Sequence, residues 1–299
     1  MKNTIIFYFL LILAMIAWGE TWVSAKILTH YLKADELIFW RFFLTTIGMF
    51  FVLVLFKISL KENKKELLIA LITSIILSLY NKFFFLGTKY GLASFGGVFV
   101  TTMNPVFTFI LIAIIYKKFI HKIEVLGLII GFIGALFMLE IWKISSKIIS
   151  LGNIYFLLAA LTWPIITIIS SKQKMKSAIL FSFYMFLFTT IIQLFFLRFK
   201  ISNVFQFDSK FWINILILSL WGTTFATTVY FYTVNKLGGK VASSFFFIVP
   251  VSAIIFSKYF LNEPITIPLI IGGIVGLIAV YILNFSPRIK NEKLYVGKK

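Results

Sequence analysis

Three ionisable side chains stand inside long apolar runs of this 299-residue chain: Glu20, Arg41 and Lys82. A charge at the centre of a bilayer-crossing helix costs roughly 2.5–3.5 kcal/mol on insertion scales, so such residues usually face a partner or a water-filled interior. The three belong to separate runs and lie at similar depth, about one to two helical turns from the same side. An acid flanked by two bases at one level offsets much of its cost. The cluster has two readings: an outer gate or a site for a polar substrate group, and a structural ion pair with a lysine reaching the interface. Coupling to protons would require a titratable group in the pathway, and Glu20 is the acid best placed to supply it.

Uncharged candidates accompany them. Trp18, Trp22, Tyr80, Trp163, Trp221, Tyr230 and Tyr232 are aromatic groups that could line a cavity. Aromatics make up 19% of the chain, with 37 Phe, so any single ring is more often core or lipid-facing. Trp40, Trp142 and Trp212 fall near run ends and fit an interfacial belt. Pro105 and Pro250 fall near the middle of their runs, where proline removes a helical hydrogen bond and bends the helix. Paired bends flanking a cavity would satisfy the freed carbonyls; packing kinks are the alternative. Asn104 adds a polar group beside Pro105, as a cavity donor or a helix-packing hydrogen bond.

Other chemistries lack their residues. There is no cysteine, and the two histidines, His30 and His121, fall outside the runs, which removes disulfides, thiolate catalysis and Cys/His metal sites. No phosphate-binding glycine loop appears, so no ATP-driven step and no cofactor is expected. The net charge of +19 comes from lysines in short clusters between apolar runs. They read as loop anchors facing anionic lipid, not as a nucleic-acid face.

The elements that must hold these residues follow from composition. The chain is 61% hydrophobic and only 13% charged, with mean hydropathy +1.01; soluble domains carry about 25% charged residues. Ten runs are long enough to span a bilayer: about 4–25, 36–56, 67–86, 95–116, 123–142, 151–171, 177–197, 211–233, 242–261 and 266–285. The third is the weakest, because Asn81 and Lys82 interrupt it. The first reads as an uncleaved span rather than a removed signal. With the N-terminus cytoplasmic, the loops on that side hold eighteen Lys and Arg against nine on the other. The positive-inside rule then places both termini in the cytoplasm of a bacterial inner membrane and requires an even number of spans.

Internal repetition divides the chain. Shifted by 145 residues, Trp18 meets Trp163, Ser74 meets Ser219, Thr88 meets Thr233, Pro105 meets Pro250, and Gly127 and Gly131 meet Gly272 and Gly276. Two units follow, 4–142 and 151–285, with a basic cytoplasmic tail at 286–299. Five spans per unit is odd, so the second enters the membrane from the opposite side. The expected fold is an all-α membrane protein of ten helices in two inverted five-helix repeats, with a small-molecule site at the repeat interface. The glycines fit close helix contact within one chain, or a weak homodimer. A channel or a structural membrane subunit is the rival reading. A membrane-embedded enzyme fits less well with so few acids and histidines.

Ala17-Trp18-Gly19, Arg41-Phe42, Ala93-Ser94, Asn104-Pro105-Val106, Pro250-Val251, Asn262-Glu263-Pro264 and Gly272-Gly273 occur in order along the chain. In that order they resemble the EamA-type family of the drug/metabolite transporter superfamily, over about residues 5–284. The resemblance implies ten helices, cytoplasmic termini and secondary transport of metabolites or drugs, often outward. The chain departs from the family pattern at Glu20, at Lys118 opposite Glu263, and at Pro164 opposite Gly19. Reporter fusions to the two termini should both report cytoplasmic; readings on opposite faces would overturn the even span count.

Overall fold

Helix caps mark where each rod begins and stops. The Asn63 side chain accepts the Glu66 N–H (2.9 Å), Ser177 accepts that of Ile179 (3.2 Å), and Asp208 accepts that of Phe211 (3.0 Å). Each satisfies an amide that the first turn leaves orphaned. At the other ends, Lys57, Arg198 and Asn262 take left-handed backbone (φ 52°, 50° and 54°) and stop their helices.

The computed structural model describes residues 2–115, 117, 122–138, 150–172, 175, 177–237, 245 and 248–285. Ten helical rods occur among them. They are α1 (Lys2–Leu28), α2 (Ala34–Leu55), α3 (Lys64–Tyr90), α4 (Ala93–Ile115), α5 (Lys122–Met138), α6 (Leu151–Lys172) and α7 (Ala178–Phe196). A short 3-10 turn, Val204–Gln206, precedes α8, which is α-helical over Ser209–Leu216, a π-helix over Ile217–Phe225 and α-helical again over Ala226–Leu237. The last two are α9 (Ile248–Leu261) and α10 (Ile267–Phe285). The basic tail 286–299 expected from sequence, and the end of the fifth run at 139–142, lie outside the described residues.

Six of these stretches are long and apolar enough to cross a membrane among the described residues: Ile5–Leu28, Ala34–Leu55, Lys64–Tyr90, Leu151–Ile169, Ala178–Phe196 and Ser209–Tyr230. α3, the weakest run by sequence, is one of them. Lys82 sits exposed near its end, while Asn81 is buried and bonds the Leu77 carbonyl at 2.9 Å. The outward faces carry exposed Phe51, Ile75, Phe132, Phe195 and Ile274, a surface suited to lipid rather than water. Inside, buried hydroxyls such as Thr73, Thr102 and Thr189 bond carbonyls four residues back at 2.7 Å. A helix in hydrocarbon silences polar side chains in this way.

The packing crosses between halves. α1 packs on α8 and α9, and α6 on α3 and α4; α2 lies against α7, and α5 against α10. The α5–α10 contact is backbone-close. A Cβ on Gly272 would stand 2.7 Å from the Gly134 carbonyl oxygen and 2.8 Å from the Met138 nitrogen, so only glycine allows this approach. Gly272→Val should lower stability by about 2 kcal/mol, the scale of an overpacked contact. A melting curve of the detergent-solubilised protein measures it. Gly273→Ala, whose new atom would meet only Val98 at 3.1 Å, should stay close to wild type.

Candidate functional site

Arg41 enters the space between α2, α3 and α8. Its Nη1 donates to Asn81 Oδ1 at 2.9 Å. Nη2 and Nε donate to Thr223 Oγ1 at 3.1 and 3.4 Å. The guanidinium lies over the rings of Phe42 and Phe84 at 5.4 and 5.5 Å, within cation–π range. Both neutral partners are pre-aimed. Asn81 is held by its bond to the Leu77 carbonyl, and the Thr223 hydroxyl donates to the Leu218 carbonyl at 2.8 Å.

That last bond spans five residues, as a π-helix allows. Thr224 repeats it to the Ser219 carbonyl at 3.1 Å, and Thr45 of α2 reaches the same carbonyl at 3.2 Å. The π segment thus meets α2 through the Thr45 hydroxyl on the Ser219 carbonyl, in a kind of distortion common at functional sites. Gly222 makes room for α1: a Cβ there would fall 2.0 Å from the Thr21 methyl.

Glu20 stands on α1 beside this segment. Its Oε1 is 2.8 Å from the Ser24 hydroxyl, which also lies 2.9 Å from Asn214 Oδ1 of α8, so one hydrogen is shared between two acceptors. Oε2 of Glu20 is buried with no hydrogen-bond partner among the described residues.

The expected three-charge cluster is not what forms. Lys82 pairs with Asp35 at 3.2 Å, both partly in the open at 47% and 38% exposure. This is the interfacial reading of Lys82, and its physical cause is that its long stem reaches the end of α2. Glu20 and Arg41 both approach α8, without an ion pair between them.

The aromatic candidates separate into two groups. Trp163 meets Tyr80 in a tilted contact at 4.8 Å, Tyr80 neighbours Phe84 at 6.3 Å, and Trp22 meets Phe84 at 4.7 Å and Phe156 at 5.9 Å. Trp22 is only 3% exposed and belongs to the core. Trp18 pairs with Tyr230 at 5.4 Å, Tyr232 neighbours Phe7 at 5.8 Å, and Trp221 stacks on Phe225 at 4.5 Å. Asn104 buries its Oδ1 without a partner among the described residues. The Pro105 side chain lies outside the described ones. Pro250 is buried on α9, and most of the expected run before it, 242–247, lies outside the described residues.

One site residue escaped the sequence reading of cavity groups. Glu263, between α9 and α10, is buried and caps the N-terminus of α4. It accepts the amides of Ala93 and Ser94 at 2.8 Å each and the Ser94 hydroxyl at 2.7 Å. Asn262 stops α9 in left-handed backbone and Pro264 forbids continuation, which turns the carboxylate towards α4. On the other side of the same corner, Lys26 of α1 donates to the Lys89 and Gly91 carbonyls at 3.1 and 2.7 Å, completing the end of α3. An anion at a helix start and a cation at a helix end both complement the helix dipole. The α3–α4 corner is thus gripped from both sides. The Asn-Glu-Pro triplet was the available signal; what lay opposite it was not.

The profile of the EamA-like transporter family matches residues 5–140 and again 150–285. The chain is 24% identical to the "Uncharacterized transporter YoaV" of Bacillus subtilis, over 90% of this chain and 93% of that protein. It is 25% identical to an "Uncharacterized transporter" of Archaeoglobus fulgidus over 92% and 96%, and 26% to YyaM of Bacillus subtilis over 91% and 92%. A solved protein crystal structure superposes with TM-score 0.61 at 14% identity, covering 92% of this chain and 94% of the other, and shares the fold.

Removing the α4 cap should be visible as stability. Glu263→Ala deletes three hydrogen bonds and should cost about 2 kcal/mol. Glu263→Gln keeps an acceptor and should lose roughly half of that, read from melting curves of the purified protein.

Proposed function

The chain belongs to the EamA-like transporter family, a multi-pass membrane protein with a small-molecule substrate and not an enzyme. On that premise we propose that it is a secondary transporter exporting a metabolite or drug-like molecule across a bacterial inner membrane by alternating access. In this reading ten helices cross the bilayer as two inverted repeats, 4–142 and 151–285, with both termini cytoplasmic.

The observation that carries the reading is reciprocal packing. α1 of one half lies on α8 and α9 of the other, while its counterpart α6 lies on α3 and α4. The repeat-paired tryptophans follow suit: Trp18 meets Tyr230 of α8, and Trp163 meets Tyr80 of α3, each in a tilted ring contact. Two halves that make the same contacts in exchanged roles can trade conformations and open a central site to each side in turn. The separate family matches to each half support the duplication.

Polar groups concentrate where such a pathway would run. Arg41, Asn81, Thr223, Glu20 and Asn104 lie among helices of both halves, and Glu20 and Asn104 each keep a buried acceptor open. In this reading the Glu263–α4 and Lys26–α3 contacts, which hold the α3–α4 corner, act as the gate at that end. Glu20 is the group available to carry a proton or to meet a polar substrate group.

The test is an untargeted comparison of metabolites accumulated and exported by cells with and without the gene, followed by flux of any hit in proteoliposomes. A reproducible difference abolished by gene loss is expected; ion conduction far above carrier rates would favour a channel. Glu20→Gln should lower flux by roughly tenfold, the scale of one charge-assisted hydrogen bond, at unchanged protein abundance. Loss of abundance alone would assign Glu20 to the scaffold.

A further inference from the structure

We propose that Arg41 is an anion subsite that takes a carboxylate of the transported molecule, so that the substrate class is small organic acids or zwitterions. The assignment rests on the transporter reading and deepens it.

The first reason is an uncompensated charge. Among the described residues no carboxylate lies within 4.0 Å of the guanidinium; its hydrogen-bond partners are the neutral Asn81 and Thr223. A half-buried cation without a counter-charge gives up part of its hydration, and neutral acceptors return only part of that cost. An arriving carboxylate would supply the missing charge.

Secondly, the frame does not require a cation there. Shifted by the repeat interval of 145 residues, Arg41 falls on Phe186. Phe186 is 4% exposed and stacks on Phe42 at 5.4 Å. The second half fills the corresponding place with an apolar ring and packs well, so the charge in the first half answers to something other than packing.

Thirdly, the donors left over suit a carboxylate. Of five guanidinium N–H groups, three are engaged, two of them on the single Thr223 oxygen. The remaining two sit one on each terminal nitrogen, the number that a bidentate carboxylate takes. Phe42 and Phe84 lie beneath the guanidinium as an apolar floor. One fixed cation balances one negative charge. Lys82, the other base of the expected cluster, is engaged with Asp35, so a phosphate dianion would be left half-neutralised.

The chain has three arginines, Arg41, Arg198 and Arg288, and mass spectrometry can follow phenylglyoxal modification at each. The wild-type protein in proteoliposomes is treated with reagent alone, with benzoate or acetate, and with benzamide, the neutral isostere of benzoate, at equal ionic strength. Arg41 is expected to be modified, and a saturating carboxylate to slow that modification by about tenfold while benzamide does not. The exposed Arg198 reports any general effect on the reagent. An Arg41 that never reacts, protection by benzamide equal to that by benzoate, or protection by neither carboxylate overturns the assignment. Because the wild-type protein is used, a variant that fails to fold cannot obscure the outcome. If the liposomes exchange other solutes while no carboxylate protects Arg41, the transporter reading stands and this one falls. If carboxylates protect Arg41 and no solute crosses, Arg41 is an anion site, but its assignment to a transported molecule falls together with the transporter reading.

Discussion

Hydrocarbon offers no hydrogen bonds, so every polar group at bilayer depth must find its partner within the chain. The rest of this structure follows from that requirement. Backbone groups close on themselves in helices, and threonine hydroxyls fold back onto carbonyls of the preceding turn, as Thr45 does onto Arg41 at 2.8 Å. Charged side chains are sent to the ends, where Lys82 meets Asp35 and Glu36 meets the Ser202 hydroxyl and amide. Polar groups that depart from this economy stand out. Arg41 has neutral partners only, and Glu20 and Asn104 keep buried acceptors open among the described residues.

The frame and its chemistry obey different rules. The packing is reciprocal: α1 with α8 and α9, α6 with α3 and α4. The polar residues are not. Arg41 stands opposite Phe186, Glu20 opposite Ile165, and Glu263 opposite Lys118 in the repeat register. α3 is a regular helix, whereas its counterpart α8 widens into a π segment that faces Thr223 to the guanidinium. In the proposed alternating access, a frame with matched halves would take up two packings of similar energy. A site built mainly from one half's charges gives a bound molecule different neighbours in each, which is how a substrate could bias the exchange.

The helical class, the position of each rod and the membrane setting could be read from the residues, because hydrophobic run length and helix stops are local properties. The interruption at Asn81 and Lys82 made α3 the weakest of the runs, yet it is one of the six apolar stretches long enough to cross a membrane among the described residues. One of the two residues turns inward to a partner and the other reaches the interface, a distinction that composition does not carry. Arg41, Glu20 and the Trp18/Trp163 pair were legible as candidates for the same reason: a charge in an apolar run, or a repeated tryptophan, is visible without coordinates. The cluster of Glu20, Arg41 and Lys82 was a prediction about distance between helices, and distance is where sequence spacing runs out.

What the sequence determined, then, was what is set within a few turns of one helix: the apolar rods, the break around Asn262-Glu263-Pro264 and the register of the repeat. Tertiary structure alone decided which helix faces which. It brought Glu263 to the start of α4, Lys82 to Asp35, and Thr223 and Asn81 to Arg41 across 182 and 40 residues of chain. The physical reason is that helix-to-helix contacts depend on the summed fit of many side chains, and no single stretch of sequence contains that sum.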